Sequence, residues 1–431
     1  MTILKPIYII SIFLLLSYAG FSQPVDHTID SLIHCITPAT YRIHFDSLRT
    51  NEGCTRKVYK VQKQSTDHDA CRDYIFRTFK KYLGNENVYL HHFEVEGNEG
   101  LANVVAFKQG RSSSNEILIL GAHYDSNNGR EESDSEPKCS PGANDNGTGV
   151  AAILEIARVL SNVEVDQSII LAAWDFEEQF PDGFAGGSNC WFSEHVVRKK
   201  YTDWEKIKGG GTIRLDQLNA NINFDMFGHP NDTINGKLAL WACSGNVIHS
   251  GFVNEYVSTF DRYVPEIAVM NYGKLTYSDH YTFAARKIPS VENLESGYNK
   301  DPFYHTCSDN LENTENINFD FAVNVTRGGM AFTLEKAGIF LPSVKRTITE
   351  SLPVFLSELP DSYWLKLPDE NVSVRIIDQF GNNVNMFKQD YSSNFYPSVS
   401  GFYKIFIYGR GGSSSREIFL QKKEGHDVPF F

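Results

Sequence analysis

The chain of 431 residues is short of basic side chains, of long apolar runs and of closely paired cysteines. Its 40 Lys and Arg stand against 53 Asp and Glu, a formal net charge of −13, and no basic cluster interrupts that balance. Phosphate binding needs such clusters, so no nucleic-acid partner is expected. Beyond the N-terminal segment, no stretch approaches the roughly 20 apolar residues that span a bilayer. The absence of CxxC pairs argues against a structural zinc site built from thiolates.

The N-terminal segment predicts export. Lys5 precedes an apolar stretch from Ile7 to Leu16, and the small residues Gly20 and Ser22 come shortly before Gln23. This pattern predicts a secretory signal peptide over residues 1–22, with an uncleaved anchor as the alternative, and hence a secreted, periplasmic or cell-surface protein without a later transmembrane segment. An exported chain can oxidise its thiols, and an odd number of them leaves at least one unpaired. The seven disulfide candidates are Cys35, Cys54, Cys71, Cys139, Cys190, Cys243 and Cys307.

Hydrophobic patterning divides the rest of the chain into two predicted domains. Residues 23–338 form the first, with a polar, mainly helical lead-in over 23–100, followed by short apolar runs that alternate with helical patterns. This alternation predicts an α/β fold, a mostly parallel twisted sheet sandwiched by helices. Residues 339–431 show short alternating strands between turn residues and predict a small all-β sandwich. The predicted strands are 103–107, 117–120, 169–174, 222–224, 238–241 and 290–294, and the clearest helices are 149–160 and 320–336.

Acids and a histidine follow three of the predicted strands directly. His123 and Asp125 come after the first, Glu177 and Glu178 after the next, and Asp225 after a third. Ligands of open α/β sheets bind beyond the carboxyl ends of the strands, so we expect these side chains at one edge of the sheet. Neighbouring residues in extended chain point in different directions, so one of the two glutamates can ligate a metal while the other handles a proton. Asp125 is placed to orient His123 through the far ring nitrogen.

Two further segments complete a candidate metal site. Asp145 lies in the turn PGANDNGTG just before a helix, and His305 follows an aromatic pair in FYHTCSDN. Helix capping would be the simplest reading of Asp145 if it stood alone. The imidazole and carboxylate groups together suit zinc, and a bridging carboxylate can hold two ions about 3.5 to 4 Å apart. The predicted ligand set is His123, Asp145, Glu178, Asp225 and His305.

The ordered segments AHYDS, PGANDNGTG, FEE, GGS, NFDMFG, YSDH and YHTCSD resemble the co-catalytic zinc exopeptidase family that includes secreted bacterial leucine aminopeptidases. The resemblance covers residues 101–336. It implies two zinc ions per chain, one bound by His123 and Asp225 and the other by Glu178 and His305, with Asp145 as the bridge. It also implies that Glu177 is the general base and acid, with Asp125 supporting His123. The implied activity is hydrolysis of N-terminal residues from peptides with a free N-terminus by a metal-activated water.

The sequence departs from this family in two places. Such aminopeptidases often have a tyrosine three residues before the Ser-Asp of the SDH segment, where it stabilises the oxyanion. Here that position is Leu275, and Tyr277 and Tyr272 are the nearest substitutes. The stretch between Glu178 and Asp225 is also long, with 180–184 and 206–212 as expected insertions. The tail resembles more loosely the C-terminal sorting domains of the type IX secretion route, which implies contact with secretion machinery, while an accessory sandwich is the alternative.

Two other functions fit parts of the pattern. A glutaminyl-peptide cyclotransferase shares this fold and many of the motif positions but uses one zinc ion. A catalytically inactive relative that acts as a binding ectodomain is the second alternative, and the loss of a ligand or of the glutamate base would favour it. Every expected metal and base position is filled, and the polar GANDNGTG loop favours hydrolysis.

Overall fold

A computed structural model provides the three-dimensional structure of the protein. It describes residues 25–48, 66–95, 97–111, 115–127, 129, 140–178, 186–198, 213–310 and 317–339, together with seven strands between 355 and 420. The predicted signal peptide, Cys54, Cys139 and both expected insertions lie outside these residues. In the described part of the chain no helix is both long and apolar enough to cross a membrane.

The lead-in is helical only in its first part. Its helices are α1 (His27–Ile33), α2 (Pro38–Ser47) and α3 (Thr66–Leu83). Asp26 caps α1, and Thr37 caps α2 directly before Pro38, a residue well suited to the first turn of a helix. The expectation of a helical lead-in up to residue 100 is wrong after α3, because β1 (Val88–Val95) pairs antiparallel with β2 (Asn98–Lys108). Alternate buried side chains in β1 face the core, a period of two rather than 3.6.

Nine strands form one mixed sheet in the order β1-β2-β4-β3-β5-β9-β7-β6, with β8 paired to β7. The central neighbours β4, β3, β5 and β9 run parallel, as expected, whereas the pairs β1-β2, β2-β4, β7-β9 and β6-β7 are antiparallel. All six predicted strands are present. The remaining bounds are β3 (Ile117–His123), β4 (Ser168–Trp174), β5 (Leu218–Phe224), β6 (Thr233–Ile234), β7 (Lys237–Ser244), β8 (Ala268–Lys274) and β9 (Ser290–Glu295).

Helices pack on the sheet and bury its apolar side chains. The other helices are α4 (Thr148–Leu160), α5 (Gly187–Phe192), α6 (Ser250–Tyr263), α7 (His280–Ala284) and α8 (Phe319–Ala337). Both predicted helices are confirmed, as α4 and α8. Nearly every residue of α4 is buried, because the sheet lies on one side and α2, α3 and α8 on others. This packing fixes the start of α4, which follows the Asp145 turn.

The C-terminal strands form two antiparallel sheets. One has the order β10-β11-β14-β13 and the other β12-β15-β16, consistent with an all-β tail. Packing of these sheets into a sandwich stays a prediction. The strands are β10 (Phe355–Glu358), β11 (Tyr363–Lys366), β12 (Ser373–Asp378), β13 (Met386–Gln389), β14 (Ser392–Phe395), β15 (Gly401–Gly409) and β16 (Gly412–Leu420).

The expected disulfides are not formed among the five described cysteines. No sulfur bridge joins any two of Cys35, Cys71, Cys190, Cys243 and Cys307. Burial raises the pKa of the Cys35 thiol to about 12 and that of Cys190 to about 11. A thiol with a raised pKa is poor in the reactive thiolate, so these two behave as packing residues.

A buried ion pair connects the lead-in to the end of β4. His68 of α3 places Nε2 2.8 Å from Oδ1 of Asp175, and both residues are fully buried. Oδ2 of Asp175 accepts from the backbone N–H of Ala102 and from the hydroxyl of Tyr124. Burial alone would lower the pKa of His68, but the Asp175 carboxylate raises it to about 9. The lead-in therefore helps to hold the strand end that carries Glu177.

We predict that His68→Gln lowers the free energy of unfolding by about 2 to 4 kcal/mol at pH 6, because Asp175 is left as a buried carboxylate without its cation. Since the folded pKa of His68 lies near 9 and the unfolded value near 6.5, the stabilisation is complete below about pH 6.5 and disappears as the pH rises through about 9. Denaturant unfolding at pH 6 and pH 9.5 should show the difference between variant and wild type shrinking. The control, the exposed His92→Gln, should stay within about 0.5 kcal/mol at both values. A deficit independent of pH would contradict the ion pair.

Candidate functional site

The carboxyl ends of three adjacent parallel strands carry the first group of site residues. His123 is the last residue of β3, Glu177 and Glu178 follow β4, and Asp225 follows β5 directly. Because β4, β3 and β5 are neighbours in that order, these side chains meet at one edge of the sheet. The structure therefore brings these side chains together at one edge of the sheet, as the sequence predicts.

His123 faces two carboxylates across the edge. Its Nε2 lies 3.2 Å from Oδ1 of Asp225 and 3.3 Å from Oδ1 of Asp145. Oε2 of Glu177 is farther away, 4.0 Å from the same nitrogen. His123 is 1% exposed and therefore almost fully buried.

His305 forms a second group on the other oxygen of Asp145. Its Nε2 lies 3.0 Å from Oδ2 of Asp145 and 3.0 Å from Oε2 of Glu178. Asp145 thus turns one oxygen towards each histidine. All five predicted ligands are brought together in two sets that share this carboxylate.

The turn that carries Asp145 is held by Asp309 and Asn146. The Asp309 carboxylate accepts from the backbone N–H groups of Asn144 and Asp145, at 2.7 and 3.0 Å. The Asn146 side chain donates to the carbonyl of Phe224 and accepts from the N–H of Gly149. A Cβ at Gly149 would collide with that same carbonyl, so glycine is required where α4 begins against β5. The peptide bond between Asp145 and Asn146 is cis.

Asp125 has a wider role than the sequence indicated. Its backbone carbonyl lies 3.1 Å from Nδ1 of His123, and its Oδ1 lies 3.5 Å from the same atom. Its carboxylate also accepts from the N–H groups of Glu177 and Glu178, both at 3.1 Å. Asp125 therefore orients His123 and both glutamates together, and the closest contact to the ring comes from the backbone.

The donor set fits metal ions. His123, Asp145 and Glu178 offer ligand atoms within 4.8 Å of one another. Oε1 of Glu178 and Nε2 of His305 are buried and make no hydrogen bond with any described residue. Burial raises the pKa of Glu178 to about 8, and although burial also acts on Asp145, His123 and His305 hold its pKa well below the usual range. Crowded carboxylates with open lone pairs are what a bound cation stabilises.

The site opens into a cavity of about 460 Å³. Its floor carries the site residues, and its walls add apolar and aromatic side chains. Leu275 and Tyr277 line it, whereas Tyr272 stacks on Trp241 with ring centroids 4.0 Å apart. The lining is His123, Asn127, Asp145, Glu177, Glu178, Asp225, Met226, Leu275, Tyr277, Ser278, Glu292, Leu294, Tyr298, Asn299, Tyr304 and His305.

Several residues at this site are not predicted from the sequence. Tyr298 and Tyr304 line the cavity, and the Tyr304 ring lies 3.8 Å from the ring of His305. Asp279 is buried nearby, and burial raises its pKa to about 7. Asp309 lies in the YHTCSD segment, four residues after His305, and this position is the only feature of the sequence that connects it with the site. The role of Asp309 depends on contacts with a turn more than 160 residues earlier in the chain.

Comparison with known proteins identifies the family of the chain. The family model of peptidase family M28 matches residues 103–326, more than half of the chain, and the chain belongs to that family. The matched range contains every predicted ligand and Glu177. The prediction of a metallopeptidase is thereby confirmed at the level of the family.

The relatives share limited identity. Aminopeptidase YwaD of Bacillus subtilis is 27% identical over 238 residues, which cover 50% of this chain and 41% of that protein. The chain spans about half the length of the curated relatives it matches.

Two solved structures have the same fold. LapB from Legionella pneumophila has a TM-score of 0.55 at 21% identity, covering 73% of this chain and 76% of its own. Macrostomum lignano glutaminyl cyclase also has a TM-score of 0.55, at 19% identity, covering 75% of this chain and 96% of its own. These likenesses confirm the α/β fold class.

We predict that Asp309→Asn weakens zinc binding by about 10- to 100-fold, the range found when groups behind metal ligands are changed. Asn144 and Asp145 donate to different oxygens of the Asp309 carboxylate, and an amide replaces one of these oxygens by an NH2 group that faces an N–H donor instead of accepting from it. Competition with a fluorescent zinc chelator gives the affinity. Asp232→Asn, at a solvent-exposed pair with Lys300, is the control and should bind zinc like the wild type. Unchanged affinity in Asp309→Asn would remove Asp309 from the support of the site.

Proposed function

We propose that the protein is a secreted aminopeptidase that uses two zinc ions to hydrolyse N-terminal residues from peptides. The observation that carries the proposal is the Asp145 carboxylate, whose two oxygens face two different histidines at 3.3 and 3.0 Å. One carboxylate between two donor sets is the arrangement that holds a pair of ions. Membership of a peptidase family and the name of the Bacillus subtilis relative support the reaction.

In this proposal the donors divide into two sets. His123 and Asp225 would hold one ion, Glu178 and His305 would hold the other, and Asp145 would contribute one oxygen to each. When bound, the zinc pair lowers the pKa of a water molecule and polarises the scissile carbonyl. Asp125 orients the His123 ring, which keeps Nε2 available as a ligand. The distances between the nitrogens of both histidines and the three carboxylates support this division.

Glu177 is the proposed general base. It is 8% exposed, lines the cavity and lies next in sequence to Glu178, yet its carboxylate is 4.0 Å from His123, beyond the closer carboxylates. A base for the attacking water must stand beside the ligand set without belonging to it. Glu177 takes the proton from the water and passes it to the leaving amine. Its backbone is fixed by Asp125, so the carboxylate is held in position before the substrate arrives.

Export and the tail complete the proposal. The predicted signal peptide at residues 1–22 sends the chain to the periplasm, the cell surface or the medium. The strands after residue 354 belong to a C-terminal domain that contacts secretion machinery or serves as an accessory module. The resemblance to sorting domains of the type IX route favours the first role.

The second candidate is a glutaminyl-peptide cyclotransferase with one zinc ion. The likeness to the Macrostomum lignano glutaminyl cyclase favours it, although that likeness concerns the fold alone. The complete second donor set of His123 and Asp225 favours the two-ion peptidase. An inactive binding ectodomain is less favoured, because all five proposed ligands and Glu177 are present and converge.

We predict that Glu177→Ala lowers kcat for aminoacyl amides by at least about 10³-fold, because the water loses its proton acceptor. Zinc content, measured by mass spectrometry of the metal, should stay at two ions per chain, as in the wild type. Glu86→Ala, at an exposed turn, is the control and should keep full activity. Substantial turnover by Glu177→Ala would refute its role as the base.

We also predict that peptides with a free N-terminus are shortened by one residue at a time, whereas their N-acetylated forms are not. A chelator should stop the reaction, and added zinc should restore it. Product masses and ammonia release are measured in parallel, with peptides that begin with Leu, Met or Gln. Equal cleavage of acetylated peptides would refute an aminopeptidase. Ammonia release from the Gln peptide without loss of a residue would establish the cyclotransferase instead.

A further inference from the structure

The cavity beside the metal donors contains one further charged side chain. Among the described residues that line it, Glu292 of β9 is the only acid or base outside the metal donors and Glu177. Glu292 is 1% exposed, and no step of the proposed hydrolysis uses it. A buried carboxylate in a substrate cavity needs a partner or a purpose, because burying an unpaired charge is costly.

One oxygen of Glu292 is already engaged by the protein. His280 of α7 places Nδ1 2.5 Å from Oε2 of Glu292, while its Nε2 lies 3.0 Å from the carbonyl of Leu275. A carbonyl only accepts, so Nε2 carries a hydrogen and donates it. At this distance Nδ1 and Oε2 repel each other unless one of them carries a proton. Burial raises the pKa of Glu292 to about 7, and the neighbouring His280 opposes that rise.

The other oxygen is much less satisfied. Among the described residues, Oε1 of Glu292 accepts only from Nδ2 of Asn223, at 3.3 Å, and that amide also reaches Oε2 at 3.1 Å. A donor shared between two oxygens at long distance leaves lone pairs of Oε1 open. Glu292 lines the cavity, and its Oε1 has capacity for a stronger donor.

Apolar side chains line the cavity together with Glu292. Leu294 lies two residues after Glu292, so both project from the same face of β9. Met226 and Leu275 line the cavity with them, as does the aromatic ring of Tyr298. A side chain that fits such a pocket has an apolar stem and ends in a hydrogen-bond donor.

We propose that Glu292 makes this pocket select peptides whose N-terminal residue is lysine or arginine. The inference rests on the proposed aminopeptidase function, which requires one side chain on the N-terminal side of the scissile bond to lie beside the metal donors. Lysine and arginine bring a methylene stem for Leu294 and Met226 and an N–H donor for Oε1. A methionine side chain fills similar space but leaves Oε1 desolvated with only the long hydrogen bond from Asn223, and sites built around a hydrogen bond reject substrates that lack it.

The test compares kcat/KM for Lys, Arg, Met and Leu aminocoumarin amides with the wild-type enzyme and with Glu292→Gln and Glu292→Met. The wild type should favour Lys over Met by about tenfold or more. The ratio should fall in Glu292→Gln and approach one in Glu292→Met. Because both substrates are measured on the same sample, the ratio does not depend on how much of a variant is folded or loaded with zinc. Glu86→Gln, at an exposed turn that does not line the cavity, is the control and should retain the wild-type ratio.

The possible outcomes separate the two proposals. Hydrolysis of Met and Leu substrates with no preference for Lys or Arg would overturn the role of Glu292 and leave the aminopeptidase intact. A Lys preference that persists in both Glu292 variants would also overturn it. Absence of hydrolysis with every substrate would overturn the proposed function, and this inference with it. A ratio that collapses only in the Glu292 variants supports the assignment.

Discussion

The structure depends on holding several like charges together at one edge of the sheet. Asp145, Glu178 and Asp225 converge on two histidines in a place with little access to water. Carboxylates at these distances repel one another, and a low dielectric strengthens the repulsion. The fold has to supply the free energy that keeps them there until cations neutralise them. Parallel strands with their carboxyl ends side by side are suited to this, because the backbone, rather than the side chains, sets the spacing.

Two carboxylates that are not predicted ligands, Asp125 and Asp309, hold the backbone of the site residues in the same way. Asp125 accepts from the N–H groups of Glu177 and Glu178, and Asp309 does the same for Asn144 and Asp145. In each case one side chain immobilises two consecutive peptide groups, so the residues that carry the donor atoms lose backbone freedom before any ligand binds. Charge-assisted hydrogen bonds to backbone N–H groups are among the stronger ones. The hydrogen bonds from these backbone N–H groups to Asp125 and Asp309 thus offset part of the repulsion between the crowded carboxylates.

The sequence predicted the parts of this arrangement that are local. His123, the two glutamates and Asp225 each follow an apolar strand, and the edge where parallel strands end is a general property of α/β sheets. Asp145 and His305 were found because their turns stand out from the surrounding pattern. β1 was missed, since its alternation is short and follows a long amphipathic helix. The contacts of His68 with Asp175 and of Asp309 with the Asp145 turn join segments more than 100 residues apart, and no local pattern contains that pairing.

The sheet places the metal donors and the wall of the proposed side-chain pocket on different strands. The metal donors come from the ends of β3, β4 and β5 and from two loops, whereas Glu292 and Leu294 come from the body of β9, one strand farther along. A substitution on the cavity side of β9 would change what the cavity accepts without replacing a donor atom. The backbone of β9 is nevertheless tied to the site, because the carbonyl of Asn293 accepts from the N–H of Asp225 at 3.0 Å. Asn223 of β5 touches Glu292 two residues before Asp225, so this separation is incomplete. Selectivity and metal binding are therefore coupled where β5 meets β9, through the Asn223 amide and through the charge of Asp225, which adds to the effect of burial in raising the pKa of Glu292.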